Sequence, residues 1–531
     1  MAEKIINIDL TDRSYYIEDY ACETAGLYGR GLVLDLVRKN IPDEADRYSP
    51  ENAIVLVPGL FAGNPAPSAC RMFVATIEGR DKGIQVCNTT GNMPQKLGSL
   101  GIAGVVIKGR AADRGTVVHI DGSGVDFITE SSLNGCRTGE IVSELKSRYG
   151  RDIAIIGSGI AGDMQLSLSS FFCTYPDGTP EYHSPRSGFG DVFGSKNLRA
   201  VVAECDDYFA RECREPDRFR DLGRQLTRII TNDEICGGAL PSYGSITLMK
   251  ILKSRKSLSE LSAVKKDSNT QAAKAAPDGA SAGKINRTCA PMCVIGCLNR
   301  HSTNDGRKYS SPSQVETQAA IKHCFGIEDY ELARAVQYNA TEIGIVATEF
   351  VTASKAFAEA NGIVHGENHL TEWLDEIEKG SLTGRVIASR TYGIDNLYSD
   401  RHLAALIDRK AVQDEAMFNV RMNNSYPGLK GLSEMELLYA QIFVLENLGF
   451  CIFTSFALLD KAETFEILAE MFEARTGVKM TGEMLVVQAN NCLSSEKEFS
   501  EHRWKAAQKS NIPQFTKVLY RYFGDRKGNT D

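Results

Sequence analysis

Nowhere does the chain hold a run of about 18 apolar residues, so no stretch reads as a membrane-spanning helix. Its start, MAEKIINIDLTDRSYYIEDY, lacks a basic segment followed by an apolar one, and a secretory leader is not expected. Positive charge is not in excess: 60 lysines and arginines face 68 aspartates and glutamates, a formal net charge of −8. A general nucleic-acid binder would carry a basic surface, so that class is set aside. There is no internal repeat of solenoid period and no proper dinucleotide-binding fingerprint. Without export, a reducing, cytoplasmic compartment is expected for the 14 cysteines. Metal or thiol chemistry is then a better reading of them than a disulfide framework.

What is present suits a globular protein with a sizeable core: 43% of the 531 residues are hydrophobic and 24% charged, enough for roughly two to four domains. Short apolar runs bounded by glycine and proline read as strands: Ala53–Val57, Gly104–Ile107, Thr116–Ile120, Ile153–Ile156 and Arg199–Val202. Beyond Asp206 the spacing turns helical in Asp217–Ile230, Tyr330–Phe357 and Met435–Leu445. An α+β fold is expected, with a β-rich N-terminal domain over residues 1–205 and mostly helical domains over 206–531. The polar stretch 265–284 reads as a solvated linker.

The sharpest local feature is Cys289-Ala-Pro-Met-Cys293-Val-Ile-Gly-Cys297. Soft thiolates at this density suit an iron–sulfur cluster or a zinc ion, and the motif alone leaves both open. A regular helix would bring the three sulfurs within roughly 80° of one another, but Pro291 and Gly296 predict an irregular loop. The plain alternative is three cysteines gathered in a buried segment. Radical chemistry on S-adenosylmethionine fits less well, because its usual motif has two residues between the second and third cysteines and here there are three. A fourth ligand must come from elsewhere.

Glycine-rich segments punctuate the first 205 residues: Gly29–Leu32, Asn88–Gly91 leading through Leu97 to Gly109, Gly157–Asp163, and Arg186–Leu198. Glycine lets a backbone approach a ligand and aim N–H groups at phosphate, and arginine adds a bidentate fork. Any one of these segments could equally be a β-turn.

Taken in order, they resemble the aldehyde ferredoxin oxidoreductase family. Gly29–Leu32 matches its "GRGL" start. Pro50–Asn52, Pro58–Gly63 and Pro67–Arg71 are similar to its "penpLv…GpltG…psssR" stretch. Asn88, Gly91, Leu97 and Leu100–Gly109 are similar to "SNxGG…LK.aGyDaiiieG", Gly157–Asp163 loosely to "iGpaGE", and Arg186–Ala200 to "aGRgGlGaVmGSKnLKAi". Cys289, Cys293 and Cys297 resemble the family's cluster motif with one extra residue in the first gap. Glu446-Asn447-Leu448-Gly449-Phe450-Cys451 resembles its DxxGLC motif, with Glu for Asp.

The resemblance implies a tungsten or molybdenum bis-pyranopterin, with Mg2+ joining the two pterin phosphates near Asn88 and Ser187. It also implies a [4Fe–4S] cluster on Cys289, Cys293, Cys297 and Cys451, with Cys492 as a reserve. Arg71, Asn88, Gly91, Arg186, Ser187, Gly188, Lys196, Glu446 and Gly449 are the implied cofactor-binding positions. The implied substrate is a small carbonyl or carboxylate compound, with ferredoxin or a ferredoxin-like subunit as electron partner; a homodimer is a further implication.

Two departures stand out. The family's DxxGxD pterin motif falls at Thr341–Val346, where both aspartates are absent; Glu342 is the possible substitute. The family histidine upstream of the fourth cysteine has no counterpart except His402, which reads as a helix start. Glu316, in Gln314-Val315-Glu316-Thr317, aligns with the family's glutamate near the metal and is the proton-transfer candidate if burial raises its pKa; its alternative is an ordinary helix-start carboxylate. The expected function is an oxidoreductase interconverting an aldehyde or related carbonyl compound and its acid. A non-catalytic cluster-bearing homologue, serving electron transfer or assembly, is the alternative.

Overall fold

In the computed structural model of the chain, the described residues are 3–22, 27–78, 83–176, 180–186, 188–244, 247, 288–298, 301–302, 308–309, 314–364, 367–398, 432–459, 461–503, 519 and 522. The expected linker 265–284, Ser187 and His402 lie outside them.

The apolar runs of the first 205 residues become two mixed six-stranded sheets. The first is built from β1 (Glu3–Asp9), β2 (Ser14–Tyr20), β3 (Ile54–Pro58), β4 (Arg71–Ile77), β5 (Ile84–Thr90) and β6 (Ile102–Lys108), in the order β2-β1-β6-β3-β4-β5. The second is built from β7 (Thr116–Ile120), β8 (Val125–Thr129), β9 (Ile153–Ser158), β10 (Phe171–Thr174), β11 (Tyr182–His183) and β12 (Leu198–Glu204), in the order β11-β10-β9-β12-β7-β8. Only the β1–β6 and β7–β12 pairs are parallel.

Inner strands β3, β6 and β9 are almost wholly apolar because both faces are covered. Ile6, Leu56, Val74 and Val105 of the first sheet pack against Val118, Ile156 and Val201 of the second. On the outer face of the first sheet, Val55, Val57 and Phe73 meet Leu32, Val33 and Leu36 of helix α1 (Gly29–Asn40). On the outer face of the second, Ile153, Ile155 and Val202 meet Ile141, Val142 and Leu145 of α2 (Thr138–Tyr149). The result is a helix–sheet–sheet–helix stack. β2 is the exception: it is an edge strand, almost wholly exposed.

The later residues are helical, and the fold is α+β. One group packs α3 (Pro216–Asn232) with α7 (Glu434–Leu448), α8 (Ala462–Thr476) and α9 (Gly482–Arg503). Another packs α4 (Gln314–Phe325), α5 (Tyr330–Ile343) and α6 (Ala347–Asn361). The helical spacing of Tyr330–Phe357 therefore covers two helices, broken where Gly344 takes a left-handed φ of 83° and ends α5. Ser433 and Glu436 form a reciprocal capping box that starts α7. Gly449, with φ 97°, stops it.

That stop fixes how the two halves meet. The turn after α7 lies on the loop between β3 and β4. Leu60 N–H donates to the Asn447 carbonyl at 3.1 Å, Phe61 N–H to Leu448 at 3.0 Å and Arg71 N–H to Gly449 at 2.9 Å. The backbones come so close that a Cβ on Gly59 would lie 2.2 Å from the Gly449 Cα. No helix among the described residues is long and apolar enough to cross a membrane.

Gly59→Ala is expected to lower the unfolding temperature clearly, because the obstructing atoms are backbone. Gly449→Ala should cost about 1–3 kcal/mol through its left-handed backbone. Gly122→Ala, which meets nothing within 4 Å, is the control. Thermal melts of the three proteins check this; equal melts would show that the two loops are not held as described.

Candidate functional site

The docked loops bring distant cysteines together. Cys451 N–H donates to the Ser68 carbonyl at 2.8 Å, and Ser68 N–H donates to the Met292 carbonyl at 2.8 Å. Val294 N–H donates to Ser68 Oγ at 3.1 Å. Ser68 thus links the loop bearing Cys289, Cys293 and Cys297 to the turn bearing Cys451. The Cys289–Cys297 segment is irregular, as its proline and glycine predict: Met292 and Gly296 take φ of 60° and 64°.

Cys289 and Cys451 are buried; Cys293 and Cys297 are half-buried. Burial pushes the Cys289 thiol up to about 12, and its neighbours Cys293 and Cys451 push the same way while Arg71 opposes them. Cys297 is raised by burial and then by Cys289, Cys293 and Cys451. Cys297 thus lies within electrostatic reach of the other three cysteines. The Arg71 guanidinium donates to Cys451 Sγ at 3.2 Å, and Gly296 N–H points at Cys293 Sγ at 3.4 Å. These are groups that steady negative charge on sulfur.

Buried soft donors with a cation beside them fit an iron–sulfur cluster. Among the described residues, no three His, Cys, Asp or Glu side chains converge as one ion would require. Cys492 lies elsewhere, on α9, with its sulfur against Gly31.

A polar flank adjoins the sulfurs. Asn88, at the end of β5, donates to Glu446 Oε1 at 3.2 Å. Glu446 is raised by burial, while Arg30 and Arg71 pull it down. Asn88 Oδ1 and Arg71 Nε are buried without a hydrogen-bond partner. Orphaned buried polar atoms need an explanation, and a polar ligand such as a pterin or its phosphate suits them. Gly91 lets the chain leave β5 tightly: its φ is 142°, and a Cβ there would lie 2.2 Å from the Thr174 carbonyl.

Arg186 and Glu316 come together, although they lie far apart in the sequence. Arg186 Nη1 is 3.0 Å from Glu316 Oε1. Glu316 sits in the first turn of α4; burial raises its pKa and Arg186 partly offsets this. Its Oε2 is buried with no partner. Gly188 packs on Ser170.

Two other expected positions are occupied otherwise. The Lys196 ammonium, expected to suit phosphate, donates to the carbonyls of Pro50, Asn52 and Gly109. The Glu342 carboxylate accepts from the Tyr182 hydroxyl and, at 3.3 Å, from Gly139 N–H. Thr341 bonds back to the Gln337 carbonyl within its own helix.

Sequence reasoning passed over several neighbours. Cys70 is buried beside Arg71 and interacts electrostatically with Cys289, Cys451 and Cys293. Its place in Pro-Ser-Ala-Cys-Arg was the available signal. Tyr175 shares a small core with Cys289 and Leu298, and His183 lies 5.5 Å from the Tyr175 ring. His183 Nε2 is 3.3 Å from the Thr90 carbonyl, and burial pulls its pKa down to about 4. Nothing in the local sequence marks those two.

The sheet-rich half is docked onto helices, with Cys70 from the one and Cys289 and Cys451 from the other near their seam. Comparison with known proteins narrows the class. A model described as "Aldehyde ferredoxin oxidoreductase, N-terminal domain" matches residues 5–205. The tungsten-containing aldehyde ferredoxin oxidoreductase of Pyrococcus furiosus is 27% identical over 252 residues, and that of Thermococcus kodakarensis 28% over 252. Each alignment covers 47% of this chain and 40% of the relative's length. In fold, the chain is similar to the active site complex BamBC of benzoyl coenzyme A reductase in complex with 1,5-dienoyl-CoA. That likeness has a TM-score of 0.72 and 16% identity, and covers 98% of this chain and 94% of that one. Residues 5–205 are thus similar to the N-terminal domain of the aldehyde ferredoxin oxidoreductases.

Arg186→Ala removes the cation that offsets burial at Glu316, so the Glu316 pKa should rise further. Difference infrared titration of the carboxyl band, assigned with Glu316→Gln, checks this; an unchanged midpoint would mean that the pair does not form in solution.

Proposed function

We propose that the chain is an oxidoreductase that uses a tungsten or molybdenum bis-pyranopterin and a [4Fe–4S] cluster. It interconverts an aldehyde or related carbonyl compound and its acid, and passes electrons to ferredoxin or a ferredoxin-like subunit. The observation that carries this reading is the Ser68 link between the Cys289–Cys297 segment and Cys451, with the Arg71 guanidinium on Cys451.

The four cysteines would hold the cluster. Arg71, Asn88 and Glu446, with the orphaned Arg71 Nε and Asn88 Oδ1, would hold one pterin and its phosphate, and Mg2+ would lie near Asn88. When bound, the metal–pterin group and the cluster supply the redox chemistry, and the protein supplies orientation, charge and dryness. Glu316 is the proton-transfer group: its raised pKa keeps a proton available nearer neutrality than an ordinary carboxyl would. Arg186 orients it and limits that rise. Arg71 balances sulfur charge on one side and faces the polar flank on the other.

The alternative, a homologue without turnover that keeps only the cluster, draws on the Thr341–Val346 segment. Its one carboxylate, Glu342, is already engaged by Tyr182 and Gly139.

Anaerobic purification from a host that makes the cofactor, followed by metal and pterin analysis, separates the two. About four irons with one tungsten or molybdenum and two pterins are expected. Iron alone would leave the electron-transfer or assembly role. Glu316→Gln should keep these cofactors and lose most of the turnover, since general acid–base groups contribute about 10²–10⁴-fold; full activity would remove Glu316 from the proton path.

A further inference from the structure

We propose that Cys70 is a fifth thiol of the cluster site, able to ligate iron in place of Cys289. This rests on the cluster reading above. A cubane offers one terminal position on each of its four irons, so a fifth sulfur at the same place is a surplus that needs a role.

Cys70 is 1% exposed and precedes Arg71, whose guanidinium reaches Cys451 Sγ. The Thr90 hydroxyl ties it to Cys289. Thr90 Oγ1 is 3.2 Å from the Cys70 carbonyl, 3.6 Å from Cys70 Sγ and 3.9 Å from Cys289 Sγ. The two sulfurs therefore border one hydroxyl. Cys289 is also the cysteine that Cys70 feels most strongly, ahead of Cys451 and Cys293.

The backbone around Cys70 cannot drift away. Arg71 N–H is held by the Gly449 carbonyl, and the Ser68 carbonyl by Cys451 N–H. Cys70 is thus fixed to the turn that supplies the fourth ligand. With Cys289 absent, Cys70 would supply the replacing thiolate from the other side of the Thr90 hydroxyl. The Fe–S bond would form as the Cys70 thiol proton leaves to water, with no change in oxidation state. Thr90 would hold whichever of the two thiols is not ligating.

The test compares wild type, Cys70→Ala, Cys289→Ala and the double variant, each purified anaerobically as the full chain. Cys289→Ser with and without Cys70→Ala serves if the alanine variant does not fold. Iron and acid-labile sulfide, the electron paramagnetic resonance of the reduced cluster, and far-ultraviolet circular dichroism are measured on all of them. Wild type and Cys70→Ala are expected to hold the full complement of about four irons. Cys289→Ala should keep it with a shifted resonance spectrum, and the double variant should lose it while retaining helical content. Cys289→Ala losing iron as completely as the double variant would overturn the proposal. So would loss of iron from folded Cys70→Ala, which would make Cys70 an ordinary ligand. Wild type without iron would instead overturn the cluster reading itself.

Discussion

Two amide-to-carbonyl bonds, Arg71 to Gly449 and Cys451 to Ser68, hold the β3–β4 loop against the end of α7. Each contributes only about 0.5–1.5 kcal/mol net, yet the site depends on them. They set Arg71 beside Cys451, and through Ser68 they fix the Met292 loop and its three cysteines. The contact favours glycine at both positions: a Cβ on Gly59 would lie 2.2 Å from the Gly449 Cα, and Gly449 takes a left-handed φ of 97°. The Gly-Phe-Cys that follows α7 is therefore both a helix stop and a clamp between the two halves, and it sets Cys451 beside Arg71.

Electrostatics at the seam follow from burial. Thiols gathered in a dry place resist ionisation, and the guanidinium of Arg71 is the nearby charge that opposes this. The same arginine draws down Glu446, which Asn88 engages from the sheet side. A second balance of the same kind operates at Glu316, where burial and Arg186 act in opposite directions. In each case a charged side chain from the sheet-rich half answers an acid from the helical half. These charge balances accordingly lie at their junction.

Much of this was legible beforehand. The uninterrupted apolar runs marked inner strands because strands covered on both faces have no polar side to display. The helical spacing after Asp206 marked the later layers, although it did not reveal the break at Gly344, which a left-handed helix end requires. The proline and glycine of the cysteine segment announced its irregular course. Lys196 and Glu342 were less transparent. Both resemble ligand-binding residues in type, but Lys196 holds three carbonyls of its own fold and Glu342 holds Tyr182 and Gly139.

By itself the sequence determined the layers and the donor chemistry available, because periodicity and thiolate character are local properties. The tertiary structure decided which donors meet. Cys70, Thr90 and His183 come from separate segments of the sheet-rich half, Cys289 and Cys451 from two segments beyond it, and Arg186 and Glu316 from opposite sides of a long interval. Their neighbourhood arises from long-range backbone pairing and close glycine contacts, and no short window of residues encodes a contact whose two partners lie hundreds of positions apart.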